Sequence, residues 1–415
     1  MQIAIVGAGI AGAATAYELA ADGHQVTVFE QRGAAAEEAS FASAGLLAPA
    51  LFTPWAHPAI GAVLRRWPWS SEATLRLVRG AGGAGLRWLW RWHQAGRSPA
   101  ALGQLAALES LGRYSLAHTR QLAGQLDVDI ETSRGALLLL RQPECLERVQ
   151  PALQLLREAG MDLAEVDADT ARLIEPGLST DTPLAGALHA PDGEAGNCRL
   201  FAQMLRQAAQ NSGTQFLFGT RVRALATGPT GLLIEGENAP RRFDAVVLCA
   251  GLASAALLRP LGQRLPLAAL YGYTISAPLR EDTHAPQGAV IDPRHRLIIT
   301  RQGQRVRVSG GAEIGHGGAV HHPPTLQTLY LALSGWFPGG AHTSSPQVQV
   351  WRGARPMLPD GAPVIGASGL SGLWLNTGHG ACGWAQACGS AHALADLVAG
   401  RVPAIDLQPF GVQRF

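Results

Sequence analysis

Residues 4–30 read AIVGAGIAGAATAYELAADGHQVTVFE, which is the part of the chain most informative about its fold. An apolar run of strand length leads into three closely spaced glycines, and an alanine-rich, helix-forming segment follows them. A second apolar run then ends at Glu30. This order of strand, glycine turn, helix and strand is typical of the βαβ unit that binds dinucleotides, whereas the glycines alone could be an ordinary tight turn.

The three glycines form a GxGxxG pattern, and each has a distinct physical role. Gly7 permits a sharp turn, Gly9 lets the backbone approach a pyrophosphate, and Gly12 allows close packing of the helix on the sheet. The free N–H groups at the start of the helix and its positive dipole end would face the phosphates. Glu30 lies near the roughly 20-residue spacing at which an acid accepts hydrogen bonds from ribose hydroxyls, which disfavours NADP. The acid does not distinguish NAD from FAD.

Composition limits the other possibilities. The chain has 415 residues, of which 47% are hydrophobic and 15% are charged, so it predicts a compact globular protein of two or three lobes. The formal net charge of +2 argues against a general nucleic-acid binder. Every one of the 33 Lys+Arg positions is arginine, since the sequence contains no lysine.

Cysteines and apolar runs indicate the compartment. The five cysteines are scattered without CxxC spacing, which favours reduced thiols in the cytoplasm and predicts neither disulfides nor a metal site. The chain passes from Met1 directly into a strand, so no signal peptide is expected. The longest apolar run, 245–258, is too short and too rich in glycine to span a bilayer, so the protein should be soluble or lie on a membrane surface.

The nucleotide-binding sheet is expected to be built from distant parts of the chain. After Glu30 the regular alternation of strands and helices stops in a loop at 32–48. Later apolar runs predict strands at 214–223, 231–235, 245–249 and 372–375, the last followed by a glycine-rich turn and a C-terminal helix. The predicted nucleotide domain therefore comprises 1–50, 190–264 and 351–415.

Two insertions, 51–189 and 265–350, are assigned to a substrate domain. The first is mostly helical in pattern, with helical apolar spacing at 102–126 and 145–159. The second alternates strand-like runs with turns and predicts an antiparallel sheet that would cover a pocket over the cofactor.

Several longer motifs resemble those of the FAD-dependent D-amino acid dehydrogenase family, which is related to glycine oxidase, sarcosine oxidase and D-amino acid oxidase. The resemblance covers nearly the whole chain. It is carried by the 7–12 turn and by SFASAGLLAP (40–49), GEAGNCRLF (193–201), FGTRV (218–222), LYGYTISAPL (270–279), WRGARPMLPDGAPVIG (351–366) and LNTGHGACGWAQACGS (375–390). It implies an α/β fold in which a discontinuous Rossmann-like FAD-binding domain joins a substrate domain of mostly antiparallel sheet plus helices.

The resemblance also implies the residues that bind FAD. They belong to the glycine turn, the first acid and the loop after it, the adenine-facing strand, a second close approach to the nucleotide, and the turn beside the flavin. In chain order they are Gly7, Gly9, Ile10, Ala11, Gly12, Glu30, Gln31, Arg32, Ser43, Ala44, Gly45, Leu46, Val222, Ala250, Gly251, Asn376, Thr377, Gly378, His379, Gly380 and Ala381.

Four residues are candidates to act on the substrate. Arg355 matches the family arginine that binds the substrate carboxylate, and a guanidinium presents the planar fork that a carboxylate fits, although a structural ion pair is the alternative. Tyr271 stands where the family typically has lysine. Tyr271 and Tyr273 could each contact the substrate or simply belong to the core. His379 is the ionisable group of the flavin turn, either as a scaffold hydrogen-bonding group or as a proton acceptor.

The implied reaction is hydride transfer from the substrate Cα to flavin N5, followed by hydrolysis of the imino acid to a 2-oxo acid and ammonia. Sarcosine-type oxidases use a lysine near the flavin for oxygen, and the lack of lysine favours another electron acceptor, such as a quinone. A flavin oxidase or dehydrogenase of glycine, sarcosine or cyclic imino acids such as D-hydroxyproline is the alternative. An NAD-dependent dehydrogenase and an electron-transferring flavin subunit stay open as other classes.

Segment 55–92 is rich in tryptophan and arginine. It holds six of the ten tryptophans, interleaved with arginines: Trp55, Trp67, Trp69, Trp88, Trp90 and Trp92. Such a segment suits a membrane interface, which would place the protein peripherally on the inner face of the cell membrane within reach of a quinone. The alternative is that these indoles pack the insertion onto its own domain.

Overall fold

The computed structural model describes residues 1–48, 76–77, 82–158, 160–161, 163–226, 230–315 and 321–415. The tryptophans predicted to meet a membrane at positions 55, 67 and 69 lie outside these residues. No helix of the described part is long and apolar enough to cross a membrane.

Strands and helices are numbered here in chain order. The strands are β1 (Gln2–Val6), β2 (Gln25–Phe29), β3 (Arg76–Leu77), β4 (Ser133–Leu140), β5 (Ala164–Asp167), β6 (Gly186–Ala195), β7 (Gln215–Leu217), β8 (Val222–Leu225), β9 (Gly231–Ile234), β10 (Arg241–Arg242), β11 (Ala245–Leu248), β12 (Ala268–Pro278), β13 (Ala289–Asp292), β14 (Leu297–Gln302), β15 (Arg305–Ile314), β16 (Gln349–Met357), β17 (Val364–Ala367) and β18 (Leu373–Thr377). The α-helices are α1 (Ile10–Ala21), α2 (Gly82–Ala95), α3 (Ala101–Gln125), α4 (Pro143–Glu158), α5 (Ala168–Ile174), α6 (Cys198–Asn211), α7 (Ala253–Leu258), α8 (Pro323–Trp336) and α9 (Gly383–Val398).

A six-stranded sheet with the order β17-β18-β11-β1-β2-β7 forms the nucleotide side of the molecule. Its strands come from the beginning, middle and end of the chain, and all pairs except β17–β18 are parallel. Strand β1 is central and nearly all apolar because both faces are covered, so Ile3, Ala4 and Ile5 are fully buried. The predicted discontinuous α/β sheet is confirmed.

One predicted strand, 214–223, is divided in two. Strand β7 stays in the six-stranded sheet, whereas β8 joins a three-stranded sheet with β9 and β10. Gly219 lies between them with φ +64°, a conformation that ends an extended run and that glycine adopts without strain. The apolar pattern alone did not mark this break.

The second large sheet has the order β16-β12-β15-β14-β13-β4-β6-β5, with β3 paired to β15. It is antiparallel apart from β4–β13 and the short β3–β15 pair, which are parallel. As expected, helices α2, α3, α4 and α5 account for most of the described residues of 51–189. Strands β4 and β5 and the first part of β6 also lie in this range and belong to the sheet, which the sequence did not predict. Strand β4 ends in four buried leucines, and a strand buried on both faces loses the alternation that identifies a strand in sequence.

Two strands cross the predicted domain boundaries. Strand β6 stays paired with β4 as far as Ala195, beyond the boundary expected at 190. Strand β16 pairs with β12 along its whole length, so residues 351–357 belong to the nine-stranded sheet rather than to the nucleotide side. Arg355 is consequently on the substrate side of the molecule. The other boundaries stay predictions.

Helix α2 carries tryptophans with different solvent exposure. Trp88 is only 5% exposed and packs with Leu270 and Met357, which favours the packing alternative for this residue. Trp90 on the same helix is 62% exposed. The two residues therefore face opposite environments.

Candidate active site

A cavity of about 990 Å³ lies between the two large sheets. On one side it is lined by the turns at the carboxyl ends of β1, β2, β11 and β18, where ligands of open parallel sheets bind. On the other side it is lined by residues of β12, β15 and β16, and Trp88 and Trp92 of α2 also reach it. A long ligand in this cavity would contact both sheets.

The glycine turn is shaped by backbone contacts that exclude any side chain. Gly7 has φ +101°, and a Cβ on it would lie 2.6 Å from the carbonyl oxygen of Cys249. A Cβ on Gly12 would collide with the carbonyl oxygen of Gly7. Gly12 does not line the cavity and acts through packing, whereas Gly9 lines it and precedes the first turn of α1. These features fit a pyrophosphate at the start of α1.

Glu30 is placed as predicted at the end of β2. Its side chain is buried, and its two oxygens accept the backbone N–H groups of Ala8 at 2.7 Å and Arg32 at 2.8 Å. A carboxylate has about four acceptor positions, so capacity is left for ribose hydroxyls. Gln31 also lines the cavity, while the side chain of Arg32 is exposed and pairs with Glu38.

The loop after Glu30 is held by the nine-stranded sheet. Four consecutive carbonyl groups of this loop accept hydrogen bonds from side chains of other elements, which leaves little freedom at the cavity wall. The pairs are Thr274 to Ala42, Arg307 to Ser43, Thr300 to Ala44 and Trp384 to Gly45. The predicted contacts Ser43, Ala44 and Leu46 line the cavity, whereas Gly45 serves as an anchor.

The second approach to the nucleotide lies at the ends of β8 and β11. Val222, Ala250 and Gly251 all line the cavity, and Gly251 has φ +53°. The hydroxyl of Thr377 contacts Ser254 at 3.1 Å and donates to the carbonyl of Gly251 at 3.3 Å. These bonds connect the loop after β11 to the turn after β18.

The last two residues of β18 and the turn after it form the segment 376–381, all of which lines the cavity. Asn376 is fully buried, and its amide donates to Thr15 at 3.0 Å. Its side-chain oxygen has no hydrogen-bond partner within the described residues. A buried, unpaired acceptor is costly, so this atom is consistent with a ligand donor in the cavity.

His379 is a structural part of the same turn. Its Nε2 lies 3.1 Å from the hydroxyl of Ser390 in α9, and burial lowers its pKa to about 4. The imidazole is therefore neutral near pH 7. This geometry favours the scaffold role for His379 over that of a proton acceptor.

Arg355 is half-buried beside the cavity. Its side chain crosses Gly272 on the neighbouring strand, where a Cβ would collide with the guanidinium, and its Nη1 donates to the carbonyl of Gly311 at 3.0 Å. Burial lowers the pKa of Arg355, yet a guanidinium stays charged at neutral pH. Within the described ranges no carboxylate forms an ion pair with Arg355. The structure thus gives no support to the ion-pair alternative.

Tyr271 and Tyr273 lie on the other face of β12. The alternate residues Leu270, Gly272 and Thr274 line the cavity, and successive side chains of a strand point to opposite faces. The hydroxyl of Tyr273 donates to Glu313 at 3.0 Å, and the Arg352 guanidinium stacks on the ring of Tyr271. The prediction that these tyrosines contact substrate receives no support from this geometry.

The sequence reasoning missed several cavity residues. Ser40 accepts the backbone N–H of Ile10 at 3.1 Å, next to the proposed phosphate position. Trp351 lines the cavity two residues before Gly353, which itself precedes Arg355 by two. The spacing WxGxR within β16 is the signal that could have identified Trp351, since alternate strand residues share a face.

Outside the cavity, one group of side chains has metal-ligand spacing within the described part of the chain. It consists of Glu18, His118 and His392, on α1, α3 and α9. Each histidine lies 2.7 Å from a different oxygen of the Glu18 carboxylate. Their polar atoms satisfy one another without an ion, so the absence of a metal site stays a prediction.

Comparison with known proteins identifies the family. Residues 2–397 match the DAO family, described as FAD dependent oxidoreductase. The chain is 38% identical to a D-amino acid dehydrogenase of Cereibacter sphaeroides over 421 residues, covering 100% of this chain and 95% of that protein. It is 36% identical to a D-amino acid dehydrogenase of Rhizorhabdus wittichii over 422 residues, covering 100% of both.

Solved structures show the same fold. Glycine oxidase from Geobacillus kaustophilus superposes with a TM-score of 0.75 at 22% identity, covering 100% of this chain and 98% of that one. The L-proline dehydrogenase from P. horikoshii superposes with a TM-score of 0.71 at 15% identity, covering 100% and 97%. The predicted fold class, the predicted FAD cofactor and the resemblance stated from the motifs are confirmed. The chain therefore belongs to the DAO family of FAD-dependent oxidoreductases.

Proposed function

We propose that this protein oxidises the Cα–N bond of D-amino acids and passes the electrons to an acceptor other than oxygen. One amino acid and one water are consumed for each 2-oxo acid and ammonia formed, and two electrons and two protons go to the acceptor. The substrate class is supported by the D-amino acid dehydrogenases that match the chain over its full length.

The observation that carries the proposal is the environment of Arg355. A half-buried cation that has no ion-pair partner among the described residues is poorly compensated, so the cavity beside this guanidinium should hold an anion when the enzyme works. A planar guanidinium binds a carboxylate through two parallel hydrogen bonds. An amino acid anchored in this way has its Cα one bond from the anchored group, inside the cavity that the nucleotide turns also line.

In this proposal, different segments of the cavity wall bind different portions of FAD. The turn with Gly7 and Gly9 suits the pyrophosphate, Glu30 suits the ribose, and residues 376–381 suit the flavin. Bound FAD supplies the electron-accepting chemistry, which no protein side chain provides. The protein contributes position and exclusion of water, so we assign no general base.

The proposal also includes an electron carrier as the acceptor and a contact with the membrane surface. The chain has no lysine near the flavin to assist reaction with oxygen, which favours a carrier such as a quinone. Leu86 and Trp90 are exposed on α2, where they could meet a membrane surface on the inner face of the cell membrane. The same helix lines the cavity through Trp88 and Trp92, so a membrane carrier would approach close to the substrate side.

Anaerobic reduction of the bound flavin tests the proposal. D-alanine, D-phenylalanine, D-proline, their L-enantiomers, glycine, sarcosine and D-hydroxyproline would be mixed with the yellow protein under nitrogen. We expect bleaching of the flavin absorbance by D-amino acids and little by L-amino acids. Bleaching by glycine or sarcosine alone would contradict the D-amino acid assignment. Rapid peroxide formation in air would contradict the non-oxygen acceptor.

A further inference from the structure

Two glycines face each other where β12 and β16 line the cavity. Gly272 pairs directly with Gly353 in the strand register. A Cβ on Gly272 would collide with the guanidinium of Arg355, and a Cβ on Gly353 would collide with the indole ring of Trp351. Each of these large side chains therefore occupies the space that a Cβ on the glycine would take, and each glycine is needed for its neighbour's position.

This register places the guanidinium and the indole side by side. Trp351, Gly353 and Arg355 alternate along one face of β16, and that face lines the cavity. Directly paired residues of antiparallel strands have Cα atoms roughly 4.5–5.5 Å apart. Because one group covers Gly272 and the other covers Gly353, the two groups are neighbours on the cavity wall.

A second aromatic ring packs against the indole of Trp351. Phe41 stacks on Trp351 with ring centroids 6.1 Å apart and an angle of 28° between the planes. The guanidinium of Arg199 lies 4.2 Å from the centre of the Phe41 ring. Thr274, the register partner of Trp351, donates to the carbonyl of Ala42 next to Phe41. These contacts fix the indole before any ligand arrives.

We propose that Trp351 is a specificity-determining residue that forms a platform for the substrate side chain. An amino acid whose carboxylate lies on Arg355 has its side chain within a few bonds of the indole. A flat apolar surface stabilises aromatic and pyrrolidine rings by burial and stacking more than it stabilises a methyl group. The site should prefer D-amino acids with rings, an inference that rests on the proposed function and names its substrate class.

Kinetics of Trp351→Ala test the platform. We expect kcat/KM for D-phenylalanine and D-proline to fall by about tenfold to thirtyfold, and that for D-alanine to change less than about threefold. Trp351→Phe should restore most of the preference because it keeps a ring in place. Leu173→Ala is the control, since Leu173 is 79% exposed on α5 and does not line the cavity, and it should leave kcat/KM for all three substrates unchanged.

Ligand binding supplies a measurement that needs no turnover. Titration of the FAD absorbance with benzoate and with acetate reports binding of a ring-bearing and a small carboxylate. Trp351→Ala should weaken benzoate by at least about tenfold and leave acetate unchanged. Equal weakening of both carboxylates, or loss of FAD in both the Ala and Phe variants, would mean that Trp351 only supports the structure and would overturn the proposal.

The platform role of Trp351 and the proposed function can be refuted separately. If D-amino acids reduce the flavin but the preference for rings survives in Trp351→Ala, the platform is refuted and the proposed function stands. If no D-amino acid reduces the flavin, the proposed function fails, and with it the substrate class. The benzoate titration would then report only whether the indole contacts carboxylate ligands.

Discussion

The two sides of the cavity are built in different ways. The cofactor side consists of turns at the carboxyl ends of parallel strands, with positive φ at Gly7, Gly251 and Gly378. The substrate side is the flat face of β12 and β16, where Trp351 and Arg355 lie across opposite glycines. In the turns the backbone itself is the proposed binding element, whereas on the face of the sheet the side chains are.

This difference decides which substitutions each side tolerates. At Gly7 and Gly12 on the cofactor side an added methyl group has no space, because its nearest neighbours are backbone atoms that cannot rotate away. On the substrate side an exchanged side chain changes the ligand contacts and leaves the strand pairing intact. Substitutions should therefore abolish FAD binding on the first side and alter substrate preference on the second.

The largest effect is expected from Gly12→Ala. The added Cβ would collide with the carbonyl oxygen of Gly7, so the variant should lose most of its FAD and several kcal/mol, roughly 3 or more, of unfolding free energy. Gly103→Ala is the control, because Gly103 is also helical and a Cβ there meets open space. It should stabilise the protein by about 0.5–1 kcal/mol. Flavin content and urea unfolding check both, and a yellow, stable Gly12→Ala protein would contradict the argument.

Arg355→Ala should have the next largest effect, on the substrate side only. We expect kcat/KM for D-amino acids to fall by about a thousandfold while FAD stays bound, because the variant lacks the carboxylate anchor. Arg355→Lys should recover little, since an ammonium group lacks the planar fork. Anaerobic reduction rates and the flavin absorbance spectrum measure the two parts. Loss of FAD along with activity would mean that the two sides are not separable.

The contributions of His379 and His392 to the free energy of unfolding should depend on pH in opposite directions. The folded pKa of His379 is lowered by burial to about 4, so below pH 6.5 the unfolded state binds a proton that the folded state does not. Stability should then fall from pH 6.5 towards pH 4, by up to about 3 kcal/mol. The pKa of His392 is raised by its hydrogen bond to Glu18, so its contribution is present below pH 6.5 and is lost as pH rises through the folded pKa.

Urea unfolding of the FAD-bound protein between pH 4.5 and 8 checks this pair. His379→Gln should flatten the loss of stability below pH 6.5, and His392→Gln should flatten the loss of stability as the pH rises above 6.5. The same pH slope in both variants would refute the assignment.

The smallest effect is expected from Tyr273→Phe. The lost hydroxyl donates to Glu313 and accepts the backbone N–H of His322, so its removal should cost about 1–2 kcal/mol of stability. Because Tyr273 lies on the face away from the cavity lining, kcat/KM should change less than about threefold. A tenfold rise in KM at unchanged stability would show that Tyr273 contacts substrate, which is one of the two interpretations that the sequence left open.

The cofactor side was predictable because its information is local. The glycines at 7, 9 and 12, the acid at 30 and the turn at 376–381 occupy fixed positions relative to the ends of their own strands. Each of these segments lines the cavity, apart from Gly12, which packs α1 onto the turn. Short spacing along the chain is sufficient here because the binding groups are backbone atoms.

The substrate side depended on pairing between distant strands. Tyr271 and Tyr273 are alternate residues of β12, as are Leu270 and Gly272, and the sequence does not state which pair faces the cavity. A shift by one residue exchanges the two faces. The buried leucines of β4 likewise gave no alternation, so the strands of the first insertion were not recognised.

The sequence was sufficient to infer the dinucleotide turn, the family, the FAD cofactor and the candidate anchor Arg355. The strand pairing of the folded chain was needed to show that Arg355 belongs to the nine-stranded sheet and that Trp351 lies beside it. The same pairing places both tyrosines on the face of β12 opposite the cavity lining. The physical reason is that a turn is specified by residues adjacent in the chain. A binding face of a sheet is specified by the register of strands separated by about 80 residues or more, such as β12 and β16.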